Sequence, residues 1–267
     1  MQKEVVKLNL EDNLEDFDTF ISDPFIIFEK KNFLDESTYH KLVDEIYSMR
    51  DFEFVYSGRG EKEKSSINGN NVNKLKEGIF KQFCMSCLSI EFFKWFENTH
   101  LPYFKFLKIK KYFYIKKPRS FSIRLINKLI KILNIPICFF YTEVEYSSIK
   151  KNNYIPPHTD AFQKRLSFVY YLPSKNKQLT QDMKESLGTV FWKPKLSAKD
   201  PIRRFDCQLL IDDEKESFYN EFEPFHIATY DSNKFAGFIK SDNSWHTVEK
   251  FNFDYDRRAI VINLWQL

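Results

Sequence analysis

Residues 156–160 read Pro-Pro-His-Thr-Asp and place a histidine and an aspartate two positions apart, directly before the apolar run LSFVYYLP. Imidazole nitrogen and carboxylate oxygen both ligate first-row metal ions, so His158 and Asp160 are candidates for two thirds of a metal site. Residues i and i+2 of a strand point to the same face, which would aim both side chains into one site. The alternative is an exposed polar turn that leads into a strand.

A third ligand should come from a distant strand, and only two histidines follow the pair, His226 and His246. His246 lies in SWHTVEKF, ahead of an apolar-alternating segment, whereas His226 lacks a comparable setting. Two imidazoles and one carboxylate on one face are the set that holds Fe(II) while leaving adjacent positions open. The sequence therefore favours His158, Asp160 and His246 as metal ligands.

A cationic pair, Arg257 and Arg258, lies one predicted strand beyond His246, in DRRAIVINLW. A guanidinium binds a carboxylate through two parallel hydrogen bonds, which suits a keto acid that chelates a neighbouring metal ion. Either arginine could provide that contact.

Two kinds of element must position these residues. After Pro136 the chain consists of short segments rich in β-branched and aromatic residues, which predicts a barrel or sandwich. Residues 174–186 and 193–224 are predicted insertions between its strands. Before Pro136, FLDESTYHKLVDEIYSM predicts a helix capped by Asp35 or Ser37, and helical patterns recur at 78–98 and 120–134. Residues 57–77 are polar and rich in turn-forming residues, which predicts an exposed loop.

The ordered set of motifs resembles the prolyl-hydroxylase-like 2-oxoglutarate/Fe(II) oxygenases over roughly residues 138–267. The motifs are YIPPHTD, RLSFVYYLP, LGTVFW, SWHTVE and RRAIVINLW, with a weaker echo in FLDESTYHKLVDEI. The resemblance implies an α+β fold with a double-stranded β-helix (jelly-roll) core and flanking helices, mostly from the N-terminal half. It also implies one oxygenase domain over 1–267, with mainly helical support in 1–135 and the catalytic core in 136–267.

The same resemblance implies that His158, Asp160 and His246 are the catalytic iron ligands of a 2-oxoglutarate- and Fe(II)-dependent dioxygenase. Such an enzyme uses O2, hydroxylates its substrate and converts 2-oxoglutarate to succinate. The substrate would be a small molecule, glycan or protein side chain, with the first two favoured. A catalytically silent jelly-roll binding protein and a cupin-like metalloenzyme independent of 2-oxoglutarate are the alternatives.

For the cosubstrate, the resemblance favours Arg257 over Arg258, because the family arginine precedes a small residue by two positions and Ala259 stands there. Strand alternation would also turn Arg257 and Ala259 inward together. Tyr171 matches a family position whose hydroxyl assists at the same carboxylate. Asn263 departs from the pattern, since an aromatic residue is common at that position.

The formal net charge of +4 is mild, and no nucleic-acid partner is expected from it. The charge is unevenly distributed, because residues 105–131 contain ten Lys or Arg and no Asp or Glu. Within them, SFSIRLINKLIKIL predicts a basic amphipathic helix, which could contact an anionic surface. The more ordinary interpretation is a helix that covers a sheet and turns its basic face to solvent.

The remaining features predict a cytoplasmic protein. Cys84 and Cys87 form a CxxC within a predicted helix, and no second pair completes a zinc set, so both are expected to be reduced core thiols. The N-terminal residues do not resemble a signal peptide.

Overall fold

The described residues of the C-terminal half of the chain form eight strands. They are β6 (Ile137–Lys150), β7 (Ile155–His158), β8 (Lys164–Tyr171), β9 (Thr189–Pro194), β10 (Phe222–Ala228), β11 (Phe235–Ile239), β12 (His246–Val248) and β13 (Asp256–Gln266). The computed structural model describes residues 6–11, 13–49, 54–57, 60–99, 111–118, 121–133, 135, 137–198, 201, 210 and 212–267.

These strands divide between two antiparallel sheets. The larger sheet has the internal order β11-β8-β13-β6, and the smaller sheet has the order β10-β9-β12-β7. Along the chain the strands alternate between the sheets, except that β9 and β10 are neighbours in the smaller one. This is the topology of a double-stranded β-helix. The α+β jelly roll expected from the sequence is confirmed.

The N-terminal half contributes strands as well as helices. β1 (Thr19–Ile21) and β2 (Ile27–Lys30) extend the larger sheet beyond β11. β3 (Phe54–Ser57), β4 (Gly60–Ile67) and β5 (Lys111–Tyr114) extend it on the β6 side. The prediction of an exposed loop over 57–77 was therefore wrong for its first part. There, the backbone of β4 pairs with β6 even though its sequence, GEKEKSSI, is polar.

Helices α1 (Glu36–Ser48), α2 (Ile79–Cys87) and α3 (Ile90–Thr99) cover the outer face of the larger sheet. Asp35 directly precedes α1, and its side chain accepts a hydrogen bond from the Thr38 amide, so Asp35 is the cap of the two candidates. The ring of Phe83 on α2 stacks on Tyr170, with centroids 5.7 Å apart. The remaining helices are α4 (Phe121–Ile132), α5 (Gln181–Ser186) and α6 (Asp212–Glu221).

The two cysteines of the CxxC are buried free thiols on α2, as the sequence predicted. Burial raises the pKa of both Cys84 and Cys87 well above the ordinary value, so neither is a reactive thiolate. None of the helices in the described part of the chain has the length and apolar character needed to cross a membrane.

Strand alternation separates the apolar core from the inner face of the jelly roll. On β8, Leu166, Phe168 and Tyr170 pack in the cluster with the helices. The intervening residues Ser167 and Val169 line a cavity between the two sheets. The same division holds along β13, where Ile260, Ile262 and Leu264 face the helices. Because side chains alternate along each strand, one face of the sheet packs against the helices and the other faces the cavity.

Asn233 links the N-terminal segment to the jelly roll. Its amide oxygen accepts hydrogen bonds from the Leu34 backbone N–H at 2.9 Å and the Tyr170 hydroxyl at 2.7 Å, and its amide nitrogen donates to the Leu34 carbonyl at 2.7 Å. The residue is buried and has a φ of 53°. Asparagine is one of the few residues that adopts this left-handed conformation readily.

Asn233→Ala is expected to destabilise the protein by about 3 kcal/mol, because it leaves three buried polar groups without partners and strains the backbone. Asn233→Gly removes the same hydrogen bonds but keeps the left-handed conformation, so it should cost about 1 kcal/mol less. Urea unfolding of both variants and of the exposed control Asn220→Ala measures these differences. A stability of Asn233→Ala equal to wild type would contradict this account.

Candidate active site

Two histidines meet across the smaller sheet. His158 is the last residue of β7 and His246 the first of β12, and the antiparallel register places them directly opposite one another. Their ring centroids are 4.1 Å apart. Both residues are buried, with 8% of each exposed. Residues far apart in the sequence therefore present two imidazoles to one point.

Asp160 completes the group. Ligand atoms of His158, Asp160 and His246 all lie within 4.8 Å of one another, and each histidine Nε2 is 3.9 Å from a carboxylate oxygen of Asp160. Asp160 lies beyond the end of β7, with a φ of 69°. Strand parity, as expected from the sequence, is therefore not what directs its side chain inward. A left-handed backbone conformation does so, and aspartate tolerates it.

The hydrogen bonds of the two imidazoles fix their tautomers. His158 Nδ1 lies 2.9 Å from the Pro156 carbonyl oxygen, and His246 Nδ1 lies 2.9 Å from the Ser244 carbonyl oxygen. A carbonyl oxygen only accepts, so each Nδ1 carries a proton, and in the neutral form of each imidazole Nε2 keeps its lone pair. This is the arrangement found in metal-binding histidines, whose second nitrogen donates to a backbone carbonyl. Both Nε2 atoms face Asp160.

The charges around the group favour metal ligation at neutral pH. Burial, followed by the neighbouring His158, lowers the pKa of His246 to about 3, so the imidazole is neutral. Burial alone would raise the pKa of the Asp160 carboxyl, but the Lys164 ammonium and the two imidazoles outweigh it and hold that pKa well below its ordinary value. A neutral imidazole and an ionised carboxylate are the forms that bind a metal ion.

Two side chains hold the Asp160 carboxylate in place. Lys164 donates to Oδ1 at 2.9 Å, and the Ser167 hydroxyl donates to Oδ2 at 2.9 Å. Each oxygen keeps a lone pair for a metal ion. Lys164 was not identified from the sequence, because it stands four residues past Asp160 across a turn and follows no strand or helix period with it.

Asn263 supports this arrangement from the neighbouring strand. Its side-chain amide lies 3.0 Å from Ser167 Oγ. A hydroxyl has one proton, and with that proton on Asp160 the serine oxygen can only accept. The structure places Asn263 Oδ1 at that distance, and a donor toward the serine oxygen requires the amide to be turned so that Nδ2 faces Ser167. The residue that departs from the family pattern thus forms a hydrogen-bond chain to Asp160.

Arg257 lines the same cavity as the three candidate ligands. It is 2% exposed, and its Nε donates to the Leu187 carbonyl at 2.6 Å. Burial lowers the pKa of the guanidinium, and the nearby phenols of Tyr171 and Tyr230 oppose that shift. An arginine nevertheless stays protonated in proteins. Among the described residues, no carboxylate forms an ion pair with Arg257.

Arg258 is placed differently. Its Nε donates to Asp256 at 2.7 Å, one terminal nitrogen donates to the Ile46 carbonyl at 2.9 Å, and its guanidinium lies 4.1 Å from the centre of the Tyr47 ring. These contacts direct it to α1 and away from the cavity. The alternation of β13 therefore gives Arg257 the inward position, as parity predicted.

Tyr171 lies behind the cavity wall. Its hydroxyl donates to Thr189 Oγ1 at 2.9 Å or to the Ala228 carbonyl at 3.1 Å, and its ring lies 5.7 Å from the Arg257 guanidinium. Thr189, the first residue of β9, is the one of the two that lines the cavity. Burial raises the pKa of Tyr171 more than Arg257 lowers it, so the phenol is neutral.

Two further residues, His226 and Tyr230, differ in their position relative to the site. His226 pairs with Glu29 at 2.6 Å and does not join His158 and His246, as the sequence predicted. Tyr230 was not identified from the sequence. Its ring lies 5.8 Å from the Arg257 guanidinium, and its hydroxyl donates to the Arg258 carbonyl at 2.9 Å. It stands in a connection between strands, where no periodicity could indicate its neighbours.

No family model matches the sequence, and no curated protein matches it significantly. Similar solved structures include a prolyl-4-hydroxylase from Pseudomonas putida, 11% identical with a TM-score of 0.49, over 91% of this chain and 93% of that one. A prolyl hydroxylase from Trichoplax adhaerens in complex with a hypoxia inducible factor peptide is 12% identical with a TM-score of 0.45, over 90% and 83%. HygX from Streptomyces hygroscopicus, with nickel, 2-oxoglutarate and hygromycin B bound, is 10% identical with a TM-score of 0.45, over 91% and 84%.

Ser167→Ala is expected to weaken divalent metal binding by about 10- to 100-fold, because the carboxylate loses the hydrogen bond that orients Oδ2. Calorimetric titration with Mn(II) measures the affinity. Ser147→Ala is the matched control, since Ser147 lines the same cavity but its hydroxyl faces the Ala259 carbonyl. Equal affinities of the two variants would contradict the positioning role of Ser167.

Proposed function

We propose that the protein is a 2-oxoglutarate- and Fe(II)-dependent dioxygenase that hydroxylates an organic substrate. The overall reaction converts a substrate C–H bond, O2 and 2-oxoglutarate into C–OH, succinate and CO2. One observation carries the proposal. A cavity between the two sheets contains two imidazoles, a carboxylate and a buried guanidinium that lacks a carboxylate partner among the described residues.

His158, Asp160 and His246 would hold the iron. Two nitrogens and one oxygen from three residues match the set that binds non-haem Fe(II) and leaves positions for other ligands. The chain offers this set ready for coordination, since both Nδ1 protons are committed to backbone carbonyls. When bound, iron supplies the activation of O2 that oxidises both 2-oxoglutarate and substrate.

Arg257 would bind the distal carboxylate of 2-oxoglutarate. Its Nε is occupied by the Leu187 carbonyl, so the two terminal nitrogens are the donors left for a ligand. A carboxylate accepts from a guanidinium in a charge-assisted pair, and low exposure strengthens that pair. The keto and proximal carboxylate oxygens of the cosubstrate would then point toward the histidines and Asp160, which line the same cavity.

Thr189 and Tyr171 would act at the same end of the cosubstrate. The Tyr171 hydroxyl can donate to either Thr189 or the Ala228 carbonyl, so Thr189 could turn its own proton into the cavity. In this role Tyr171 positions both Thr189 and Arg257. Direct contact between the Tyr171 hydroxyl and 2-oxoglutarate, which the sequence suggested, stays a prediction.

Apolar side chains surround the polar groups. Val169, Phe238 and Val261 line the cavity, and the Phe238 ring lies 4.5 Å from that of His246. Such walls limit access of bulk water, which would compete for the open metal positions and screen Arg257. A binding protein without catalysis has no need of a metal set in this dry setting. A metalloenzyme independent of 2-oxoglutarate has no need of the unpaired guanidinium.

His158→Ala is expected to abolish the chelate formed by the protein, Fe(II) and 2-oxoglutarate, because one of the three ligands is lost. Anaerobic titration of the Fe(II)-loaded protein with 2-oxoglutarate, followed by the weak visible charge-transfer absorption, measures the chelate. His40→Ala, an exposed histidine on α1, should behave as wild type. A wild-type protein without this absorption would refute the proposed function.

Arg257→Ala is expected to weaken 2-oxoglutarate binding by roughly 30-fold or more, because a buried charge-assisted pair is lost, with Mn(II) affinity unchanged. Arg257→Lys keeps the charge but not the planar fork, so its loss should be intermediate. Arg258→Ala is the matched control and should retain cosubstrate affinity. Substrate-dependent turnover that survives Arg257→Ala undiminished would favour the metalloenzyme that does not use 2-oxoglutarate.

A further inference from the structure

The helix α4 exposes a set of large apolar side chains. The exposed fractions are 49% for Leu125, 43% for Ile126, 48% for Leu129, 67% for Ile132 and 64% for Leu133, which follows the helix directly. No described side chain of α4 is buried. The interpretation of α4 as a helix that packs its apolar stripe on a sheet was therefore wrong.

The spacing of these residues makes them one surface. Leu125, Leu129 and Ile132 follow the i, i+4, i+7 pattern, and Ile126 and Leu133 lie beside them at the i, i+7 spacing. Ile123 and Ile130, at the edge of the same apolar arc, are half-buried. The helix thus turns the larger part of its apolar arc to solvent. We call Leu125, Ile126, Leu129, Ile132 and Leu133 the α4 apolar surface.

The sequence around this surface is strongly basic. The ten Lys and Arg of residues 105–131 leave 31 of the chain's 41 basic residues against 37 Asp and Glu, so the rest of the chain has a net negative charge. Lys116, Lys117 and Lys128 are exposed, and none of them forms an ion pair with a described carboxylate. Positive charge is therefore concentrated in the part of the sequence that contains the exposed apolar surface.

We propose that α4 is an interfacial helix that docks the protein on an anionic lipid membrane. The exposed apolar residues would contact the acyl chains of such a membrane, and the neighbouring lysines would contact its acidic headgroups. A helix of 12 residues is about 18 Å long, which is shorter than the ~30 Å hydrocarbon core of a bilayer, so it would lie on the membrane. A nucleic acid would engage the lysines but provide no apolar medium for five leucines and isoleucines.

The test is sedimentation of the full-length protein with vesicles of phosphatidylcholine alone or with 30% phosphatidylserine, at low and high salt. Wild type should bind the anionic vesicles and bind neutral vesicles at least fivefold more weakly. The double variant Leu129→Glu/Ile132→Glu should lose at least tenfold in partitioning, because both apolar contacts are replaced by charges of the wrong sign. Lys128→Glu should weaken binding by about fivefold, and high salt should act in the same direction.

Leu196→Glu is the matched control, since Leu196 is fully exposed outside the α4 apolar surface, and it should bind as wild type. Mn(II) affinity of every variant checks that the fold is intact, because the metal set lies between the sheets. The proposal is overturned if wild type does not sediment with anionic vesicles, or if the double variant binds them as well as wild type. It is equally overturned if the double variant only breaks a dimer in solution, or if wild type prefers a single-stranded oligonucleotide measured in parallel.

Discussion

The cross-strand register of β7 and β12 is the constraint on which the site depends. Directly opposed residues of an antiparallel pair have side chains on the same face about 5 Å apart. This spacing is why His158 and His246 could bind the same metal ion. A slip of one residue would turn one imidazole to the other face of the sheet. On its other side β12 pairs with β9, with Phe191 opposite His246, and this second contact holds the short strand in register. The close approach of the two imidazoles is therefore a property of the sheet.

The inner face of the jelly roll contains buried polar groups whose hydrogen-bonding and charge requirements the described residues do not fully meet. Burying a charge without an opposite charge is unfavourable, and among the described residues no carboxylate pairs with the cation of Arg257, which lies close to one carbonyl and two aromatic rings. The helices and the outer face of the larger sheet provide compensating stability through aromatic packing, as between Phe33 and Phe235, whose ring centroids are 4.6 Å apart. A ligand carboxylate would remove the imbalance at Arg257.

The aspartate is positioned more elaborately than the histidines. Each histidine is oriented by a backbone carbonyl, whereas Asp160 depends on a left-handed backbone, a lysine, and the serine–asparagine chain. The difference follows from location, because the histidines stand on paired strands and the aspartate stands in the connection after β7. A residue outside the sheet needs side-chain hydrogen bonds to replace the ladder that fixes its neighbours.

Local periodicity and an ordered set of motifs were enough to predict the jelly-roll strands, and the same signals predicted the three candidate ligands and the preference for Arg257. The sequence did not predict β4, whose polar strand forms only because the edge of β6 is available for pairing. It could not identify Lys164 or Tyr230, which reach the site across turns. Nor could the sequence decide whether the apolar side of α4 is buried or exposed. Period alone shows that a helix has an apolar side, and only tertiary packing determines whether that side is covered.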